Sequence, residues 1–175
     1  MIPADRLVYL VSIVASPVCG YAVDKSGRNV FWMATALLCA AVAHALLALT
    51  FVSPFLGTCL LGVGYSMAAA SLWPCVAYAV EERLLNTAFG LLTALQNFGM
   101  GLAFLAAGAI ADSRGYLALQ LFYLAALAAA FAALVLLYAV DTRHGGTLNL
   151  SAVEQLERIT GRADHRSRTS SNAGH

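Results

Sequence analysis

A few polar and aromatic side chains stand in surroundings so apolar that each needs a partner or a purpose. Asn86, Gly90, Thr93, Gln96, Asn97 and Gly101 recur at three- and four-residue steps, which places small and neutral polar groups on one stripe of a helix. Two uses compete for that stripe: hydrogen-bonding a polar solute, or close helix packing with the amides as glue. Trp73 precedes Pro74, whose missing amide leaves the Ala70 carbonyl without its helical donor and bends the helix there. An indole at that depth offers an N–H donor and a face for an ammonium group, or else simply fills core. Tyr65, eight residues earlier and ~80° round the helix, is placed to line the same cavity. His44 is read as a hydrogen-bonded structural histidine in preference to a proton carrier.

Covalent chemistry finds no support. Ser66 and Ser71 have no base at a sensible depth, and neither a metal-ligand cluster nor a nucleotide loop is present, so an enzyme is not expected and no metal or cofactor is implied. Cys19, Cys39, Cys59 and Cys75 fall about 20 residues apart, one per apolar segment, which is neither a metal spacing nor a disulfide framework. No Asp, Glu, Lys or Arg occupies the centre of an apolar segment, where proton-coupled carriers commonly keep a carboxylate; this favours facilitated diffusion.

The elements that position these groups follow from composition. Of 175 residues, 61% are hydrophobic and 11% charged, against ~25% charged in a soluble domain. A mean hydropathy of +0.76 agrees with a polytopic membrane protein, and a formal net charge of +1 without a basic stretch excludes nucleic acid as a partner. The expected fold is all-α: a membrane helical bundle of five spans at about 7–23, 30–51, 55–80, 88–111 and 116–140, embedded in the lipid bilayer. A signal peptide is the weaker reading of the first segment, because the apolar run resumes from Val18 to Val23 beyond Pro17. Lys25, Arg28, Arg83 and Arg143 fall on one side of such a bundle, and Arg6 and Arg114 on the other, so the tail is expected to be cytoplasmic. From 141 the composition turns polar. Ser151 and Glu154 have capping-box spacing for a short amphipathic helix at about 151–160, and the residues from Gly161 onward read as disordered. An odd number of spans beginning on the far side is the pattern of a chain that lacks preceding helices.

Gly20-x-x-x-Asp24-x-x-Gly27-Arg28 closes the first segment. Gly20 admits a neighbouring helix, Gly27 permits a tight turn, and Asp24 can accept hydrogen bonds from Arg28 or from amides at a helix N-terminus. Such a turn can serve as a latch between two halves of a bundle, or as an ordinary charged turn. Gly108 and Asp112, followed by Arg114-Gly115, repeat part of the pattern three spans later. Gly64, Gly90, Gly101 and Pro74 are expected to govern packing and bending.

The Gly20 to Arg28 pattern resembles the loop between the second and third helices of each half of major facilitator superfamily transporters. Counting onward, the five spans resemble helices eight to twelve of a twelve-helix fold with a cytoplasmic C-terminus. Ser16-Pro17-Val18-Cys19-Gly20, Asp24-Lys25-Ser26-Gly27, Leu72-Trp73-Pro74-Cys75-Val76-Ala77, Gln96-Asn97, Asp112-Ser113-Arg114-Gly115-Tyr116 and Gly145-Gly146-Thr147-Leu148-Asn149 together resemble the branch of that family that carries dipeptides out of the lysosome. The likeness covers about residues 10–152. It implies uniport of dipeptides or other small organic solutes, a lysosomal membrane location and a glycosylated lysosomal membrane protein as accessory partner. It also implies that helices one to seven, the N-terminal bundle, are missing, so that this chain alone would not transport. Trp73, Tyr65, Thr93, Gln96 and Asn97 would then face substrate, and Gly20, Asp24, Gly27 and Arg28 would form the gating latch. Glu81-Glu82-Arg83-Leu84-Leu85 is one residue short of an acidic dileucine signal and reads as loop charge. A non-transporting membrane interaction protein and a carrier for another solute are the other readings.

Overall fold

The structure is a computed structural model that describes residues 4–49, 54–143, 146, 148, 149, 154 and 157. Helix α1 spans Ala4–Ser26, α2 Asn29–Leu49, α3 Pro54–Ala79 and α4 Leu85–Arg143, with a three-residue 3-10 turn at Glu82–Leu84 before α4. All regular structure among the described residues is helical. The elements form because long runs of Ala, Leu, Val, Phe and Gly satisfy their backbone internally, as a bilayer demands. Pro17 and Pro74 interrupt neither α1 nor α3 as elements. The capping box expected at Ser151 and the disorder expected from Gly161 fall outside the described residues; within 150–175 only Glu154 and Glu157 are described, both helical.

Three helices precede the Glu82–Leu84 turn, and α4 after it is two helices that meet at a kink at Gly115. Among the described residues, three stretches are long and apolar enough to cross a membrane, Asn29–Leu49, Pro54–Ala79 and the 62 residues Glu82–Arg143. Helix α4, at 59 residues, divides at that kink into 85–114 and 116–143, each roughly 42–45 Å at ~1.5 Å per residue and so long enough to cross a ~30 Å hydrocarbon core. Its one non-helical residue is Gly115, at φ 80° and ψ −177°, a conformation open only to glycine. The turn expected at 112–115 thus shrinks to that single residue. Ser113 returns its hydroxyl to the Ala109 carbonyl (2.6 Å), so the helix carries through Asp112, Ser113 and Arg114 and breaks only where a Cβ is absent.

Helix α3 is central, with α1 against one side and α2 against the other, while α4 leans mainly on α2. The α1–α3 seam is made by serines fifty residues apart. Ser12 donates to the Gly62 carbonyl (3.1 Å), and Ser16 and Ser66 share a 3.3 Å hydroxyl contact. The matching increments show that α1 and α3 run parallel. The α2–α3 seam is built on absent side chains: a Cβ on Gly64 would stand 3.2 Å from the Ala36 carbonyl oxygen and 3.4 Å from the Cys39 Cβ, and one on Gly57 would stand 2.7 Å from Leu47 Cγ. Across the α2–α4 seam, His44 Nδ1 lies 2.6 Å from Gln120 Oε1, so the imidazole donates and the amide oxygen accepts. Its ring stacks on Tyr123 at 4.9 Å. Gln120 is buried, and this pairing makes His44 part of the packing.

A leucine at Gly64 is expected to push α2 from α3 and to lower the chain's stability in detergent by about 1–3 kcal/mol. Leucine at Gly90 or Gly101, where a Cβ meets nothing within 4 Å, leaves the same thermal transition in place. Gln120→Leu deprives His44 of its acceptor and is expected to lower that transition by the equivalent of ~1 kcal/mol, whereas the same change at exposed Gln96 is not.

Candidate functional site: an aromatic cleft and a strained turn

Trp73 and Gln96 are brought together. They line one cleft of about 260 Å³ between α3 and the first part of α4, with Leu72, Val76, Leu92 and Leu95. Trp73 is half-buried, and its ring leans on Phe89 at 5.6 Å and 33°. The Gln96 side chain is exposed and is the one amide in a wall otherwise aliphatic and aromatic. The cleft presents a hydrogen-bonding amide, an indole and apolar walls, with no nucleophile and no charge among its lining residues. Among the described residues no three His, Cys, Asp or Glu side chains converge as metal ligands.

The other candidates lie elsewhere. Tyr65 is 58% exposed on α3 and does not line the Trp73 cleft. Thr93 and Asn97 are exposed on α4, and Asn97 Nδ2 donates to the Thr93 carbonyl of its own helix (3.0 Å). Of the four positions expected to govern packing and bending, only Gly64 meets a second helix closely; Gly90 and Gly101 face open space within this chain, and Pro74 sits inside α3.

The α1–α2 turn is built in detail. Gly27, at φ 64°, is buried and donates its N–H to the Val23 carbonyl (2.9 Å), a left-handed cap that ends α1. Ser26 Oγ donates to the Ala22 carbonyl (2.7 Å) and accepts the Trp32 indole N–H (2.7 Å), tying the end of α1 to the start of α2. Asp24 is exposed and makes no ion pair with Arg28; among the described residues the ion pair is Arg83 to Glu81 (2.8 Å), both exposed in the α3–α4 connection. Gly20 has nothing within 4 Å of an added Cβ. Sequence reasoning missed the residues that close on this turn, Asn29, Leu148 and Asn149, because they meet partners 119 residues away in the chain. Their one signal was the Gly146 to Asn149 match, which carried resemblance without a role.

Comparison with known proteins agrees with this architecture. The family model described as Major Facilitator Superfamily matches residues 7–169. A protein of Danio rerio named lysosomal dipeptide transporter MFSD1 is 46% identical over 154 residues, covering 88% of this chain and 33% of that protein. Proteins of the same name from Homo sapiens and Gallus gallus are each 43% identical, covering 87% and 89% of this chain and 33% and 36% of theirs. The chain therefore spans about a third of the length of these relatives. With a match over nearly its whole length, the chain belongs to the major facilitator superfamily.

Proposed function

We propose that this chain supplies helices corresponding to eight to twelve of a two-bundle carrier that moves dipeptides across the lysosomal membrane by uniport. The observation that carries the reading is the pairing of Trp73 with Gln96 in one cleft, in a chain 46% identical to a protein named for dipeptide transport. The indole face suits the ammonium end of a peptide, and its N–H suits a carbonyl. The Gln96 amide both donates and accepts, which matches a peptide bond. Tyr65, Thr93 and Asn97 continue the pathway beyond the cleft.

Access alternates by rocking of two bundles about this level, the N-terminal bundle being supplied from outside the chain. Gly90 and Gly101, open within the chain, are where that bundle approaches. Gly20, Asp24, Gly27 and Arg28 form the latch. The end of the bundle with Lys25, Arg28, Arg83 and Arg143 faces the cytoplasm. A glycosylated lysosomal membrane protein accompanies the assembled carrier. The exposed run 91–102 also suits a second reading, a half-carrier that binds a full-length relative without transporting.

Purified and reconstituted in liposomes, this chain is expected to give no saturable counterflow of a labelled dipeptide pool, and to give it once helices one to seven of a relative are added. In that completed carrier Trp73→Ala is expected to raise KM about tenfold, equivalent to ~1.4 kcal/mol of lost cation–π binding. Gln96→Ala raises it about threefold to tenfold by loss of a neutral hydrogen bond. Unchanged KM in both variants, at normal protein levels, removes the cleft from the pathway; transport by the chain alone overturns the two-bundle reading.

A further inference from the structure

The α1–α2 turn holds a strained residue. Arg28 has φ 49°, a left-handed conformation that a residue with a Cβ adopts only when its surroundings enforce it. Enforcement comes from the far end of the described chain. The Arg28 N–H donates to the Asn149 carbonyl (3.3 Å), the Val30 N–H to Asn149 Oδ1 (3.0 Å), and Asn29 Nδ2 to the Leu148 carbonyl (3.2 Å). The Val30 amide belongs to the first turn of α2, where no intrahelical acceptor exists, so Asn149 caps a helix that begins 120 residues before it. Asn29 is 3% exposed and Leu148 6%, so the bond between them is not interchangeable with water.

The capping segment is itself fixed. Gly146, at φ 63°, donates its N–H to the Asp141 carbonyl (2.9 Å), the closing bond of a helix C-cap. The Leu148 N–H points at the Asp141 carboxylate, 3.4 and 3.3 Å from its two oxygens. The Leu148 side chain enters a cluster with Val30, Met33, Cys75 and Leu134, which joins α2, α3 and α4 at this end of the bundle. One turn thus reads the position of three helices and holds a fourth connection in strain.

We propose that the turn carrying Gly146, Leu148 and Asn149 is a tether that locks the α1–α2 turn, and that its release is a condition for that turn to change conformation. Breaking it frees the Arg28, Asn29 and Val30 contacts together and lets Arg28 relax, so the turn has two discrete arrangements. The consequence for transport rests on the latch role proposed above; the tether itself does not.

Hydrogen–deuterium exchange of the full 175-residue chain in lipid nanodiscs tests it. In Asn149→Ala the amides of residues 28–31 are expected to exchange on the order of tenfold faster, with residues 60–68 of the α1–α3 seam unchanged. Asn149→Asp, which keeps an acceptor oxygen at a helix N-terminus, is expected to stay at the parent rate. A parent rate in Asn149→Ala, or equal acceleration at 60–68, overturns the tether. In the completed carrier the tether predicts that Asn149→Ala alters the maximal transport rate at least threefold with KM unchanged. Faster exchange at 28–31 with an unaltered rate leaves the tether standing and removes the latch role from the turn.

Discussion

Helix α3 can touch both α1 and α2 because it lacks side chains on one face and carries hydroxyls on another, and the rest of the bundle depends on that. In hydrocarbon there is no hydrophobic gain from bringing two helices together, so association rests on dispersion at short range and on hydrogen bonds. Gly64 lets the α2 backbone at Ala36 and Ala40 come within van der Waals distance, and Gly57 makes room for the Leu47 side chain. Ser12, Ser16 and Ser66 then fix the register of α1, since a shift of one residue would part the buried Ser12 hydroxyl from the Gly62 carbonyl and Ser16 from Ser66. The two devices are complementary: glycine sets distance without direction, and serine sets direction.

Once α1 and α2 are both held by α3, the two-residue link between them has little freedom left. A connection from Ser26 to Asn29 must reverse the chain in two residues, and it does so with consecutive positive φ values at Gly27 and Arg28. Glycine accommodates this without strain; arginine does not. The strain at Arg28 is therefore a product of packing elsewhere, and the capping contacts from Leu148 and Asn149 are what make it tolerable. Packing in the membrane-length helices and geometry at the turn are one problem solved at two places.

The apolar runs read at 30–51 and 55–80 overlap helices Asn29–Leu49 and Pro54–Ala79, with residues 50–53 outside those described. The break expected at 112–115 falls at Gly115, the last residue of that stretch, because Ser113 can satisfy itself on its own helix and only Gly115 leaves helical geometry. The polar partners were not legible. Gln120 is a lone amide in an apolar run, and nothing in its neighbours points seventy-six residues back to His44. At the site, Trp73 and Gln96 were readable as unusual residues, and the cleft they share follows from how α4 leaves the Glu82–Leu84 turn. Tyr65 lies away from it because helical phase alone does not say which face a neighbour will cover.

The polar residues of this chain divide into two populations, and the division bears on function. Ser12, Ser66, Ser71, Asn29, Gln120 and Asp141 are buried, and each has a partner supplied by the chain itself. Thr93, Gln96 and Asn97 are exposed along one stretch of α4. Of these, Asn97 turns to its own backbone, while Gln96 opens into the cleft beside Trp73. An amide facing lipid chains is unfavourable by far more than the ~0.6–2 kcal/mol an interhelical bond returns, so such a face is stable only against protein or water. Gln96 beside Trp73 is therefore a surface that needs polar company and that its own bundle leaves open.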